Sequence, residues 1–194
     1  MKNIFSIVRA SSAFFFFLSS TAALADYEDG VEAAFSGDFD TAFKEFTIAA
    51  QEGLSLAQYN LGILYFTGQG VEQDFDEAFE WTKRAAEQGH LNAQFNLGSL
   101  YLDGQGTQIS VLEGVNWFTQ AAKSGHANSA FTLAKMYQKG DFVDSDLVAA
   151  HAWAAQSEIN EHPEASILKD EIEQDLSVEE IRQARRVFAA WQIE

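Results

Sequence analysis

The chain has 194 residues, 29 of them acidic and 12 basic, a formal charge of −17 and no cysteine. That balance repels phosphate backbones and anionic lipid, which argues against nucleic acid as a partner. Without cysteine there are no disulfide staples, no thiol chemistry, no cysteine zinc site and no lipid-anchored N-terminus, so the fold must hold by packing.

At the N-terminus, Lys2 and Arg9 accompany the short apolar run SSAFFFFLSSTAAL, and Ala23-Leu24-Ala25 is a small-x-small cleavage signal. This pattern predicts a secretory signal peptide over 1–25, cut after Ala25. The run is too short and too rich in Ser and Thr to span a bilayer, so no stable membrane insertion is expected after cleavage. The expected location is periplasmic or secreted. Losing the leader's two basic residues leaves ten against 29 acidic ones, a mature charge of −19. Such acidity favours basic partners, and equally it keeps an exported protein soluble.

A short helix is expected near Tyr27 to Phe35 and a second from Asp38 to Glu52. Together they make a partial repeat, 27–53. Full copies follow: AQYNLGILYFTGQG from Ala57, AQFNLGSLYLDGQG from Ala93 and the looser SAFTLAKMYQKGDF from Ser129. Gly53, Gly89 and Gly125 keep a 36-residue interval, as do Tyr65, Tyr101 and Tyr137, and Trp81, Trp117 and Trp153. A fixed period of this length marks stacked supersecondary units that present an extended surface. In each copy Ala57, Leu61, Leu64, Tyr65 and Gly68 or their equivalents form one stripe at helical spacing. Gly62 beside the stripe admits close approach of a neighbour, Gly68 and Gly70 close the helix, and Asp74 caps a second helix that Gly89 ends. That second helix turns Phe75, Ala78, Phe79, Trp81, Ala85 and Ala86 inward. Three repeats are predicted, 54–89, 90–125 and 126–160. Pro163 then interrupts the pattern. A helix near Glu164 to Asp175 and a last one, opened by a Ser177/Glu180 capping box, form a C-terminal cap over 161–194.

The pattern A-x-x-x-L-G-x-x-Y-x-x-G-x-G-V, followed by A, W, A-A and G, is matched by Ala57, Leu61, Gly62, Tyr65, Gly68, Gly70, Val71, Ala78, Trp81, Ala85, Ala86 and Gly89. It resembles Sel-one-like repeats, relatives of tetratricopeptide repeats with a longer loop between the helices. The second copy departs at Thr107 and Gly114, and the third at Ser129, Ala134 and Phe142, which leaves the third loop's shape open. The resemblance implies an all-α fold: a right-handed α/α solenoid of helix-loop-helix repeats with a helical cap. It also implies a non-catalytic protein–protein interaction scaffold or regulator in the bacterial cell envelope. Exported relatives look like regulators of sensor kinases, envelope and exopolysaccharide adaptors, or host-contact factors. The implied partner is a protein such as an envelope sensor or a cell-wall factor. A cysteine-rich branch linked to penicillin binding suggests the alternative, a cell-wall-related or β-lactam-active enzyme, but this chain lacks that branch's cysteines.

In related repeats the first helix lines a concave groove. Opposite Leu61 stand Tyr59, Asn60, Ile63 and Phe66; the next copy brings Phe95, Asn96, Ser99 and Leu102, and the third Phe131 and Lys135. An aromatic plus an amide, repeated along one face, can stack on and hydrogen-bond an extended peptide. Tyr59, Asn60, Ile63, Phe66, Phe95, Asn96, Ser99, Leu102 and Lys135 are therefore the candidate partner-binding residues. Two alternatives stand beside this. Tyr59, Phe95 and Phe131 can pack between adjacent first helices, and the partner can use the acidic convex side instead. His90 and His126, one period apart, read as turn-surface residues too distant from each other to share a metal. His151, at an apolar repeat position, reads as a packing histidine. Asp141, Asp144 and Asp146 lack the twelve-residue calcium pattern. Lys169, Arg182, Arg185 and Arg186 form the densest basic patch. No catalytic residue, cofactor or metal is expected.

Overall fold

The computed structural model describes residues 22–193; the leader residues up to 21 and Glu194 lie outside the described residues. The described residues are helical throughout, with no strand. The first helix, α1, covers 22–36. Then follow α2 (Phe39–Gln51), α3 (Ser55–Thr67), α4 (Phe75–Glu87), α5 (Leu91–Asp103), α6 (Val111–Lys123), α7 (Ala127–Lys139), α8 (Leu147–Ile159), α9 (Ala165–Glu173) and α10 (Val178–Trp191). The expected cut after Ala25 falls inside the described part of α1, where Ala23 is already buried. No described helix is long and apolar enough to cross a membrane.

Helix borders follow from capping chemistry at the repeat interval. The carboxylate of Asp38 accepts from the Thr41 amide, and that of Asp74 from the amides of Asp76 and Glu77. Ser110 and Asp146 do the same for Glu113 and Ala149. Each cap satisfies amides that the first turn leaves without a helical partner. The expected Ser177–Glu180 capping box is formed in α10.

Two compact units divide the chain, 1–90 and 91–194. In the first, α3 packs on both α2 and α4. Its core joins Ala42, Phe46, Ala49, Ala50, Ala57, Leu61 and Leu64, with Tyr27, Val31, Tyr65 and Trp81 packed against it. Small residues set the spacing. A Cβ on Gly62 would lie 2.6 Å from Thr82 Oγ1 and 3.3 Å from the Ala78 carbonyl oxygen, so α3 and α4 approach only because glycine stands there. Thr82 is thus buried on the inner face of α4, an addition to the expected apolar set.

In the second unit α6 packs on α5 and α7, and α8 packs on α7, α9 and α10. The core gathers Phe118, Leu133, Met136, Trp153, Leu168 and Ile172 around a run of alanines. Full burial of a side chain such as Leu133 stabilises by about 2 kcal/mol. The cap is bolted on by Trp191, whose ring lies 4.0 Å from that of Trp153, and by Ala184, which is fully buried. His151 packs as expected: it is 2% exposed, with its Nε2 2.7 Å from Glu173 Oε1 on α9. That bond, first among several causes, holds the Glu173 carboxyl below the ordinary glutamate value.

Candidate functional site

The candidate surfaces are the outward sides of the first helices, α3 in the first unit and α5 and α7 in the second. Their geometry starts from the turns. The amides of Leu54, His90, His126 and His162 donate to the carbonyls of Ala49, Ala85, Ala121 and Ser157 at 2.9–3.1 Å. These six-residue closures end one helix and place the next residue beside the preceding first helix.

Three of those residues are histidines, and each meets an aromatic ring 31 positions earlier. Tyr59 stacks on His90 at 4.5 Å and 25°. Phe95 meets His126 at 5.3 Å, and Phe131 stacks on His162 at 4.0 Å and 12°. His90 and His126 are expected from the sequence on the turn surface; in the structure they, and His162 with them, are half-buried against rings. His126 is also a cap. Its Nδ1 accepts from the Ser129 amide at 3.2 Å, which leaves the ring proton on Nε2 for Asn92 Oδ1 at 3.1 Å. Burial pushes the pKa of His90 and of His126 below the ordinary histidine value.

The nine candidate residues fall into two groups, one in each unit. In the first unit, Asn60 and Ile63 line an open cleft of about 380 Å³. Its other wall is α1, through Tyr27, Val31, Ala34 and Phe35, with Phe39, Phe46 and Gln69 completing it. Tyr59 is turned to His90. Phe66, 36% exposed, sets its ring edge-on to Phe75 at 5.3 Å. The α1 wall was absent from the sequence reading.

In the second unit, Phe95 lies between the rings of Phe118 and His126, each 5.3 Å away. Asn96 is half-buried. The Ser99 hydroxyl donates to the Phe95 carbonyl oxygen at 3.3 Å. Leu102 fills the space over Gly114, where a Cβ would meet it at 2.7 Å. Lys135 is exposed and holds its ammonium 5.3 Å from the centre of the Phe131 ring. Phe66 and Lys135 therefore offer the most accessible side chains, while Phe95 and Leu102 are largely committed to packing.

Helical hairpins closed by the same turn at a fixed interval define an α/α solenoid of helix-loop-helix repeats. The family model for the Sel1 repeat matches residues 55–90, 91–126 and 127–157, and the chain belongs to the Sel1 repeat family. Members of this class are, in general, protein–protein interaction scaffolds. Two solved structures are similar. One is c5321, a protective antigen present in uropathogenic Escherichia coli strains that displays an SLR fold: 30% identity, TM-score 0.70, covering 78% of this chain and 32% of that one. The other is a Sel1 repeat protein from Oxalobacter formigenes: 27% identity, TM-score 0.69, covering 78% of this chain and 62% of that one. The chain thus spans less than two thirds of either relative. No curated protein matches it.

Proposed function

We propose that this Sel1 repeat protein is a non-catalytic scaffold or regulator of the bacterial cell envelope, docking a segment of a partner protein on the outward faces of its first helices. One observation carries the reading. Repeat-equivalent positions in the core agree, as in Leu61, Leu97 and Leu133, all fully buried. Equivalent positions on the outward face differ: Ile63, Ser99 and Lys135, and Phe66, Leu102 and Gln138. Repeats that agree in their cores and differ at outward positions suit a specific, non-repeating ligand. The signal-like leader and the likeness to an antigen of uropathogenic bacteria support an envelope or exported location. The alternative, cell-wall or β-lactam chemistry, has no observation in its favour.

The test is affinity capture from envelope fractions with the wild-type chain and a Phe66→Ala/Asn96→Ala variant. The variant is expected to keep its helicity and lose its captured proteins at least tenfold. Unchanged capture by the variant, with capture by both lost in high salt, would instead place binding on the acidic surface.

A further inference from the structure

The cleft between α1 and α3 is lined mainly by apolar side chains, and α1 carries acids on its exposed side. Phe35 stands at its edge 90% exposed, a large ring facing water beside Tyr27 and Val31. Exposed Glu28 and Glu32 precede Phe35 by seven and three residues, so the three are neighbours on the helix surface. From Asp26 to Ser36 the chain carries four acids and no base.

The helix α10 has the opposite character. It turns Ala184 and Trp191 inward and presents Val178, Arg182, Arg185 and Arg186 outward, with Ile193 exposed in the turn just past its end. Val178 is 67% exposed and Ile193 87%. Arg182 and Arg186 share a single exposed acid, Glu179, at 3.1 and 3.6 Å. Exposed pairs of this kind are worth little, so the arginines are cheaply released to a better partner. Three of the ten basic residues that follow the leader lie on this one face.

We propose that the α1–α3 cleft of one copy receives the outer face of α10 from a second copy, head to tail. This rests on the reading that the first-helix face of the first unit is a docking surface, and it names an occupant for it. Val178 at the start of α10, or Ile193 just past its end, covers Phe35 and the apolar floor, while the arginines meet Glu28 and Glu32. The contact joins two different surfaces, so it need not close on itself. Copies add at either surface, and assemblies grow with concentration. Salt screens the charged rim and shortens them.

Sedimentation velocity on the full exported chain tests this with three proteins. The wild type is expected to gain mass with concentration and to lose that gain in high salt. Phe35→Asp and Arg182→Glu/Arg186→Glu change exposed positions, so circular dichroism should show helicity unchanged. Each variant alone should stay monomeric. Their equimolar mixture should reach twice the monomer mass and stop, because each copy keeps one complementary end. A wild type that is monomeric at every concentration overturns the proposal, as does association that both variants retain. If the wild type stays monomeric while a cleft variant still loses its envelope partner, self-docking fails and the scaffold reading stands. If self-association follows the pattern above and the cleft variants capture envelope proteins normally, the scaffold reading keeps its partners and only their docking at the first-helix face of the first unit fails.

Discussion

The loop of the first repeat and the loop of the third have the same backbone and different residues. In the first, the Asp74 amide donates to the Tyr65 carbonyl at 3.0 Å; in the third, Asp146 donates to Tyr137 at 2.9 Å. Gly68 and Gly140 both cap their helices in the left-handed conformation. Two residues later the copies diverge: Gly70 has φ +70°, and its counterpart Phe142 has φ +66°. At Gly70 a Cβ would lie 2.0 Å from the Phe39 carbonyl oxygen. Phe142 points into solvent, 58% exposed. Glycine in the first loop thus answers two demands, a left-handed φ and a crowding neighbour. In the third only the φ remains, and the surrounding bonds impose it on a phenylalanine. The frame of the repeat, more than its glycines, dictates the loop.

The comparison can be broken most forcefully at Gly70. Gly70→Ala meets backbone as well as strain and should cost about 3 kcal/mol or more, lowering Tm by roughly 6–12 °C for a chain of this size. Phe142→Ala, at the same φ, should move Tm by no more than a degree or two. Thermal melts followed by circular dichroism decide this; equal losses at both positions would remove the crowding argument. Gly89→Ala isolates the strain, since nothing lies within 4 Å of the added Cβ at its φ of +86°. That variant should lose about 1 kcal/mol. Phe142→Gly should relieve the same strain and gain about 0.5 kcal/mol after the entropy of the freer chain is subtracted. A loss on this substitution would mean that the Phe142 ring holds the loop.

Acid sharpens the comparison between the units. His90 in one and His126 in the other are held below the ordinary histidine value of 6.5 by burial. Their neutral forms therefore stabilise the fold fully above that value. As pH falls below it the unfolded chain takes up protons first, and stability declines. Tm should fall between neutrality and pH 5, and a His90→Gln/His126→Gln variant should flatten the decline. Glu173, also lowered, contributes above the glutamate value of 4.5 and is lost only in stronger acid, so the two phases separate. A Tm independent of pH in the upper window would rule out the buried neutral rings.

Much of the fold was legible because its determinants are local. Asp74, Asp146 and Ser177 sit where short polar side chains reach free amides, and Leu61, Leu97 and Leu133 recur at a spacing that only a stacked helix uses. The all-helical class and the capping box could both be read this way. The turn pattern runs slightly further than expected, since His162 still makes the repeat closure before Pro163. The site was less legible because its contacts are not local. Tyr59 and His90 are partners across 31 residues and two elements, so no periodicity within a helix reveals them. Only the recurrence of the interval at Phe95–His126 and Phe131–His162 could have done so. The α1 wall was missed for a related reason. Tyr27, Val31 and Phe35 form an ordinary amphipathic stripe, and nothing in them says that Asn60 and Ile63 stand opposite. Thr82 stood outside the expected inner face because its place is set by the missing side chain of Gly62.

The ring-on-histidine clamps have a genealogical consequence. Both halves of each clamp lie within one 36-residue period, so a tandem duplication of any such window copies the aromatic together with the histidine that rests on it. The new segment arrives carrying its own fastening and needs no compensating change elsewhere. Lineages built this way can lengthen or shorten by whole periods, whereas a single-residue insertion between the two halves of a clamp would turn that one histidine off its ring.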